Sequence, residues 1–177
     1  MRGAIAGWMV LCSAVFLATG SLAVAQAGNG GGWRAASEAE LRQWVPARAQ
    51  VEKERIETEF RTASGIVDGK GKYVVGVVLI TAGYSADGKY SNSVITQVPL
   101  KIAGMRLDPG QYVFGWQRES DALQVKFYEA ASGKYLGSVT AGRDGSRARI
   151  ESFRILPPGD KSVMMIGRFA FPYEVVR

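Results

Sequence analysis

The chain has 177 residues, a formal net charge of +6, one cysteine and no histidine. Without histidine, and with Cys12 as the sole thiol, the usual zinc ligand sets cannot be assembled. Ser-His-Asp catalysis, Cys-His catalysis and a histidine pH switch are excluded for the same reason. The basic excess is mild and spread along the chain, so it reads as a solvated surface and implies no nucleic-acid partner.

Residues 1–27 have the three zones of a secretory signal peptide: Arg2, an apolar run from Ala4 to Val24, and the small-x-small site Ala25-Gln26-Ala27. The run approaches the length of a membrane span. Its break at Gly20-Ser21 and the glycine tract that follows favour cleavage, leaving Gly28 first. A lipoprotein reading fails because Cys12 lies mid-run after Leu11. Cleavage removes the only cysteine, leaving a thiol-free chain long enough to bury a core without disulfides. The expected location is periplasmic or extracellular, with no transmembrane segment after signal removal.

Residues 28–36 read as a flexible Gly-rich leader. Residues 37–63 read as a helical segment, opened by the capping-box spacing of Ser37 and Glu40 and interrupted at Pro46. Val51, Ile56 and Phe60 can share a helix face there, with Trp33 and Trp44 as anchors. Residues 64–177 read as a β domain. Tyr73 to Thr81 is a β-branched run suited to a strand buried on both faces. Ser93 to Ile102 follows, with Pro99 marking an edge or a bulge. Asp108-Pro109-Gly110 is a turn that launches Gln111 to Gln117, where Tyr112, Phe114 and Trp116 alternate with Val113, Gly115 and Gln117. Leu123, Val125 and Phe127 alternate with polar neighbours, predicting one buried and one wetter face. Strands are expected around Lys134 to Thr140 and from Arg147 to Leu156, the latter bulged near Glu151. After the Pro157-Pro158-Gly159-Asp160 turn, the shared phase of Val163, Met165, Phe169, Phe171, Tyr173 and Val175 predicts one long strand bent at Gly167 or Pro172. The expectation is a mainly β chain, an antiparallel β-sandwich with a small β-barrel as the alternative, preceded by the short helical segment.

Leu107-Asp108-Pro109-Gly110-Gln111-Tyr112-Val113 resembles the L-x-P-G-x-Y segment of transthyretin-like and carboxypeptidase-regulatory-like β domains. It also resembles the same segment in small, uncharacterised exported bacterial β-domain proteins. The resemblance covers seven residues, implies a β-sandwich and implies no activity.

Asp68, Asp87, Asp108, Asp144 and Asp160 all sit in Gly- or Pro-rich turn sequences, where their side chains bond back to the backbone. No D-x-D-x-D-G loop is present for calcium, and Asp68-Gly69-Lys70-Gly71-Lys72 lacks P-loop spacing. Neither a metal nor a cofactor is expected. Arg147 and Arg149 share one strand face and form a candidate anion-binding pair for phosphate, sulfate or an acidic polysaccharide. Tyr112, Phe114 and Trp116 are the candidate lining of an apolar cavity if the sheet closes, and core residues otherwise. Glu119, Asp121 and Glu129 are the carboxylates that a hydrolase would use. The leading expectation is an exported, non-enzymatic β-sandwich acting as a binding or envelope-associated module, with a cell-envelope protein or anionic polysaccharide as partner. A barrel that carries an apolar ligand comes second, and a carboxylate-dependent glycoside hydrolase third.

Overall fold

The computed structural model describes residues 32–145, 150–158 and 162–176. Residues 1–27, expected to be a signal peptide, residues 28–31 of the expected leader, the pair Arg147 and Arg149, and Asp160 lie outside the described residues.

At the N-terminal end, β1 (Arg34–Ala35) pairs antiparallel with Val67 and Ile66, so this part of the leader is strand and not flexible linker. Helix α1 (Glu38–Trp44) follows, with the expected capping box. Ser37 N–H donates to Glu40 Oε2 at 2.8 Å, and Glu40 N–H donates to Ser37 Oγ at 3.4 Å. Arg34 closes a two-pronged pair on the same carboxylate at 2.6 and 2.8 Å. The helix docks through Leu41 onto Val75 and Val77, and Trp44 stacks on Tyr73 with ring centroids 4.4 Å apart. Trp33 packs against the main core.

The Arg34 guanidinium, helped by the Ser37 N–H, holds the Glu40 carboxyl down to about 2. A depressed carboxyl stabilises the fold above its unfolded pKa of about 4.3, and that contribution is lost as pH falls towards the folded value. Arg34 is 54% exposed, so water screens the pair to no more than about 1 kcal/mol. In urea unfolding, Glu40→Gln is therefore expected to cost about this much at neutral pH. The gap to the parent protein should narrow steadily below pH ~4.5. A gap that stays constant with pH would contradict the assignment.

The helical reading of residues 47–63 is corrected. β2 (Arg48–Val51) and β3 (Glu54–Val67) form a hairpin across the turn Glu52-Lys53, with Val51 opposite Glu54. Glu52 takes the left-handed conformation at φ 53°, which a sequence search for Asn-Gly or Asp-Gly turns passes over. Ile56 and Phe60 are four residues apart, a separation that helical and strand periods both satisfy. Burial decides between them, because Ala49, Val51 and Ile56 pack with Leu79, Tyr90 and Val113 of neighbouring segments.

The remaining elements are β4 (Tyr73–Leu79), α2 (Gly83–Ala86), β5 (Asn92–Thr96), β6 (Leu100–Ile102), β7 (Met105–Leu107), β8 (Gly110–Glu119), β9 (Ala122–Glu129), β10 (Tyr135–Arg143), β11 (Glu151–Ile155), β12 (Val163–Gly167), β13 (Phe169–Pro172) and β14 (Glu174–Val175). The protein is mainly β. Its main sheet is antiparallel, runs in the order β1-β3-β4-β5-β8-β9-β10-β13-β12-β11, and carries β2 alongside β3. The sheet is nearly closed into a barrel. β11 comes round to β3, where Ile155 N–H donates to Ser64 Oγ at 2.9 Å. Gly76 of β4 makes room for Phe153, whose ring a Cβ there would meet at 2.5 Å.

Several expectations correspond to what forms. β4 is buried on both faces, Val74 towards the main core and Val75 under α1. In β9 Leu123, Val125 and Phe127 are buried and the intervening residues are wetter. β5 ends at Thr96, and after Pro99, whose carbonyl accepts from the Val176 N–H, the chain enters a second sheet, β14-β6-β7. That sheet contributes Leu100, Ile102 and Leu107 to the core, and Tyr173, between β13 and β14, joins them and donates from Oη–H to the Leu156 carbonyl.

The single long C-terminal strand is also corrected. Met165 pairs with Ala170 and Ile166 with Phe169, so β12 and β13 are a hairpin turning at Gly167-Arg168, with Gly167 at φ 59°. The turn reverses the phase, and β12 faces the core with Met164 and Ile166, not with Val163.

Candidate functional site

Strand direction gives the near-barrel two unlike ends. β5 runs from Asn92 to Thr96, and β8 returns from Gly110, opposite Thr96, past Phe114, opposite Asn92, to Glu119. The β14-β6-β7 sheet is connected at the Thr96 and Gly110 end and at the C-terminal end of β13, and its apolar side chains fill that end. At the other end the last residues of β4, β8, β10 and β12 and the first residues of β5, β9, β11 and β13 surround a cavity of about 690 Å3. This is within the usual range for small-molecule sites.

The strand phases that build the core continue into this cavity. Along β8 the inward phase is Tyr112, Phe114, Trp116, Arg118; along β10 it is Val139, Ala141, Arg143. Each strand thus carries apolar residues in the core and an arginine at the open end. Arg168, in the β12–β13 turn, is the third arginine of the lining. The wall between them is mainly apolar, with Val78, Trp116, Leu123, Ile150, Ile166 and Phe169, and includes the hydroxyl residues Thr81, Ser85, Ser91 and Ser152. Trp116 and Ile150 are 36% and 53% exposed, a cost in bare hydrocarbon surface that concentrates at the open end. None of the described lining residues is acidic. The Arg118 guanidinium lies 5.9 Å from the Phe169 ring centre, and Arg143 keeps a loose 4.0 Å contact with Asp121.

Asn92 lies deepest in polar character. It is 2% exposed, lies in register with Val78 and Phe114, and lines the cavity. Its Nδ2 is the one buried side-chain nitrogen or oxygen among the described residues without a hydrogen-bond partner. Such a group costs about 1–3 kcal/mol unless something accepts from it.

Of the three aromatic residues expected to line a cavity, the structure places only Trp116 there. Phe114 is fully buried among Phe127, Phe153 and Phe171. Tyr112 is half-buried towards the other end, donating from Oη to the Asp108 carbonyl at 2.7 Å. Burial and the Asp108 carboxylate raise its phenol above the ordinary value. Glu119 and Asp121 are exposed at the β8–β9 turn, whereas Glu129 is at the far end of β9. Seven residues of strand, about 23 Å, separate them, so no catalytic pair with Glu129 forms. Asp68 is a turn residue, its Oδ1 accepting from the N–H groups of Lys70 and Lys72 at 2.8 Å each. Among the described residues no cluster of His, Cys, Asp or Glu is suited to a metal ion, and no helix is long and apolar enough to cross a membrane.

Sequence reasoning missed Arg118, Arg168 and Asn92, and grouped Arg143 with Arg147, Arg149 and Arg154 as a basic patch instead of a cavity residue. The signal for two of them was present, since an arginine two residues beyond the last core residue of an inward phase points along the same face.

The chain matches no family model, no curated protein and no solved structure.

Proposed function

We propose that this protein is an exported, non-enzymatic binding module, a small barrel that holds an apolar ligand in the cavity at its open end. The single observation that carries this reading is that cavity: an apolar wall, exposed Trp116 and Ile150 at its opening, and a filled core beneath it. A sandwich would bring two separate sheets face to face. A barrel is favoured because one hydrogen-bonded sheet carries the whole path from β3 to β11, and its end strands meet through Ser64 and Ile155. The aromatic residues of β8 divide between the two roles expected of them, Phe114 as core and Trp116 as ligand contact. Export rests on the signal-peptide pattern of residues 1–27.

The test is titration with the neutral fluorophore N-phenyl-1-naphthylamine, together with native mass spectrometry of protein taken from the export compartment. Saturable one-to-one binding is expected. Trp116→Ala should weaken it about tenfold, the loss of one aromatic contact of roughly 1.4 kcal/mol. Non-saturable binding by the parent protein, with no bound mass, would overturn the reading.

A further inference from the structure

From the polar groups of this cavity we infer that its ligand is a single-chain amphiphile. It has an anionic head, carboxylate or phosphate, at the opening and an oxygen acceptor near its inner end. This inference rests on the binding-module reading above.

The head is assigned by charge. Arg118, Arg143 and Arg168 line the opening and no described acidic residue lines it with them. Arg143 has a loose 4.0 Å contact with Asp121, a carboxylate that is itself 91% exposed. Guanidinium groups present forked donors to carboxylate and phosphate alike, and their attraction is strengthened beside an apolar wall. A cationic head would meet three like charges. A neutral head would leave them solvated as before and gain nothing from them.

The inner acceptor is assigned by Asn92. Its unpartnered Nδ2 is buried in a residue that lines the cavity, and its neighbours across the strands, Val78 and Phe114, have no side-chain acceptor. An oxygen on the ligand would satisfy it. The two polar ends also set a length. Asn92 is level with Phe114, and Arg118 is four residues further along β8, which is about 13 Å of strand. An extended chain of roughly a dozen carbons spans that distance with both ends engaged, well within the size of ligand such cavities hold.

The experiment measures, by displacement of N-phenyl-1-naphthylamine and by calorimetry, the binding of dodecanoate, dodecyl phosphate, 1-dodecanol, dodecylammonium and 12-hydroxydodecanoate. The two anions are expected to bind at least tenfold tighter than the alcohol, with the ammonium weakest. Their relative order tells whether a fatty carboxylate or a phosphate ester is the preferred source of the head. The hydroxylated acid is expected to exceed dodecanoate several-fold, and Asn92→Val should abolish that margin while leaving dodecanoate binding in place. Arg143→Ala/Arg168→Ala should reduce dodecanoate binding at least tenfold and leave 1-dodecanol unchanged. Raised salt should weaken the anions alone.

Equal affinities for dodecanoate and 1-dodecanol would overturn the anionic head and leave the apolar-ligand reading intact. Equal affinities for the plain and hydroxylated acids would overturn the inner acceptor. Failure of every probe, the neutral fluorophore included, would overturn the binding-module reading itself.

Discussion

Gly115→Ala is expected to destabilise the fold by about 3 kcal/mol or more, among the largest effects of any single-methyl change in this protein. Gly115 is on the outward phase of β8, between Val113 and Gln117, and the backbone of Gly88 and Lys89 crosses directly over it. A Cβ at this position would stand 1.5 Å from the Lys89 carbonyl oxygen and 2.1 Å from its carbon. Both are backbone atoms, so no rotamer change relieves the overlap. The crossing segment must retreat by about 2 Å to reach an ordinary contact distance. It carries Tyr90, which is 1% exposed, packs edge-on to Tyr128 and donates from Oη to Glu52 at 2.5 Å. Burial first, then Glu52, raises the Tyr90 phenol above its ordinary value, as expected of a hydroxyl held protonated in a packed site. Lifting Lys89 therefore withdraws a fully buried tyrosine from its packing with Val51, Ile56, Leu79 and Val113. Gly142→Ala in β10 is the matched control, because no atom lies within 4 Å of a Cβ there, and it should change stability by no more than about 0.5 kcal/mol. Urea unfolding of both variants checks the argument. Equal midpoints would refute it.

Phe114→Ala is expected to cost about 3–5 kcal/mol in the same measurement. The side chain is fully buried, with ring centres of Phe127, Phe153 and Phe171 at 5.1, 5.7 and 6.4 Å. Those partners belong to β9, β11 and β13, so one ring joins the middle of the sheet to the strand that nearly closes it. Truncation leaves a void bounded by other rings, which cannot collapse without moving strands. For a chain of this size the loss corresponds to roughly 10 °C in thermal midpoint. A loss below about 1 kcal/mol would mean that the aromatic cluster is not the centre of the core.

The residues that were legible in the sequence share one property: local pattern and burial agree at their positions. Leu123, Val125 and Phe127 alternate and are buried, and Ser37 and Glu40 cap a helix that also has Leu41 to bury. The illegible ones are places where two periods coincide or where a turn has no diagnostic residues. Residues 48–67 are rich in Glu and Arg, which favour helix on propensity, yet the strand pairing from Arg48↔Glu57 to Val67↔Tyr73 holds them in the sheet. Propensity differences of a few tenths of a kcal/mol per residue do not compete with buried pairing of that length. Across Gly167-Arg168 the core positions change from Met164 and Ile166 to Phe171, and because Val163 to Ile166 is apolar at both parities the local pattern conceals that reversal.

The cavity shows the same division. Arg118 and Arg143 lie 25 residues apart in the chain and on strands separated by β9. Nothing in local spacing relates them to each other, to Arg168 or to Asn92. Only the curl of the sheet brings the ends of four strands and the beginnings of four others to one opening, because antiparallel neighbours begin where the preceding strand stops.

By itself the sequence determined the chemistry that is absent, the export pattern at residues 1–27, the mainly β class and the inward faces of β4, β8 and β9. These follow from residue identity and from short-range alternation. The tertiary structure alone decided that β12 and β13 fold back on each other, that Gly115 lies beneath Lys89, and that three arginines and an unpartnered Asn92 surround one apolar cavity. Those features depend on which strands become neighbours, and that choice is made by long-range burial and by backbone pairing, which the periodicity of a single strand does not encode.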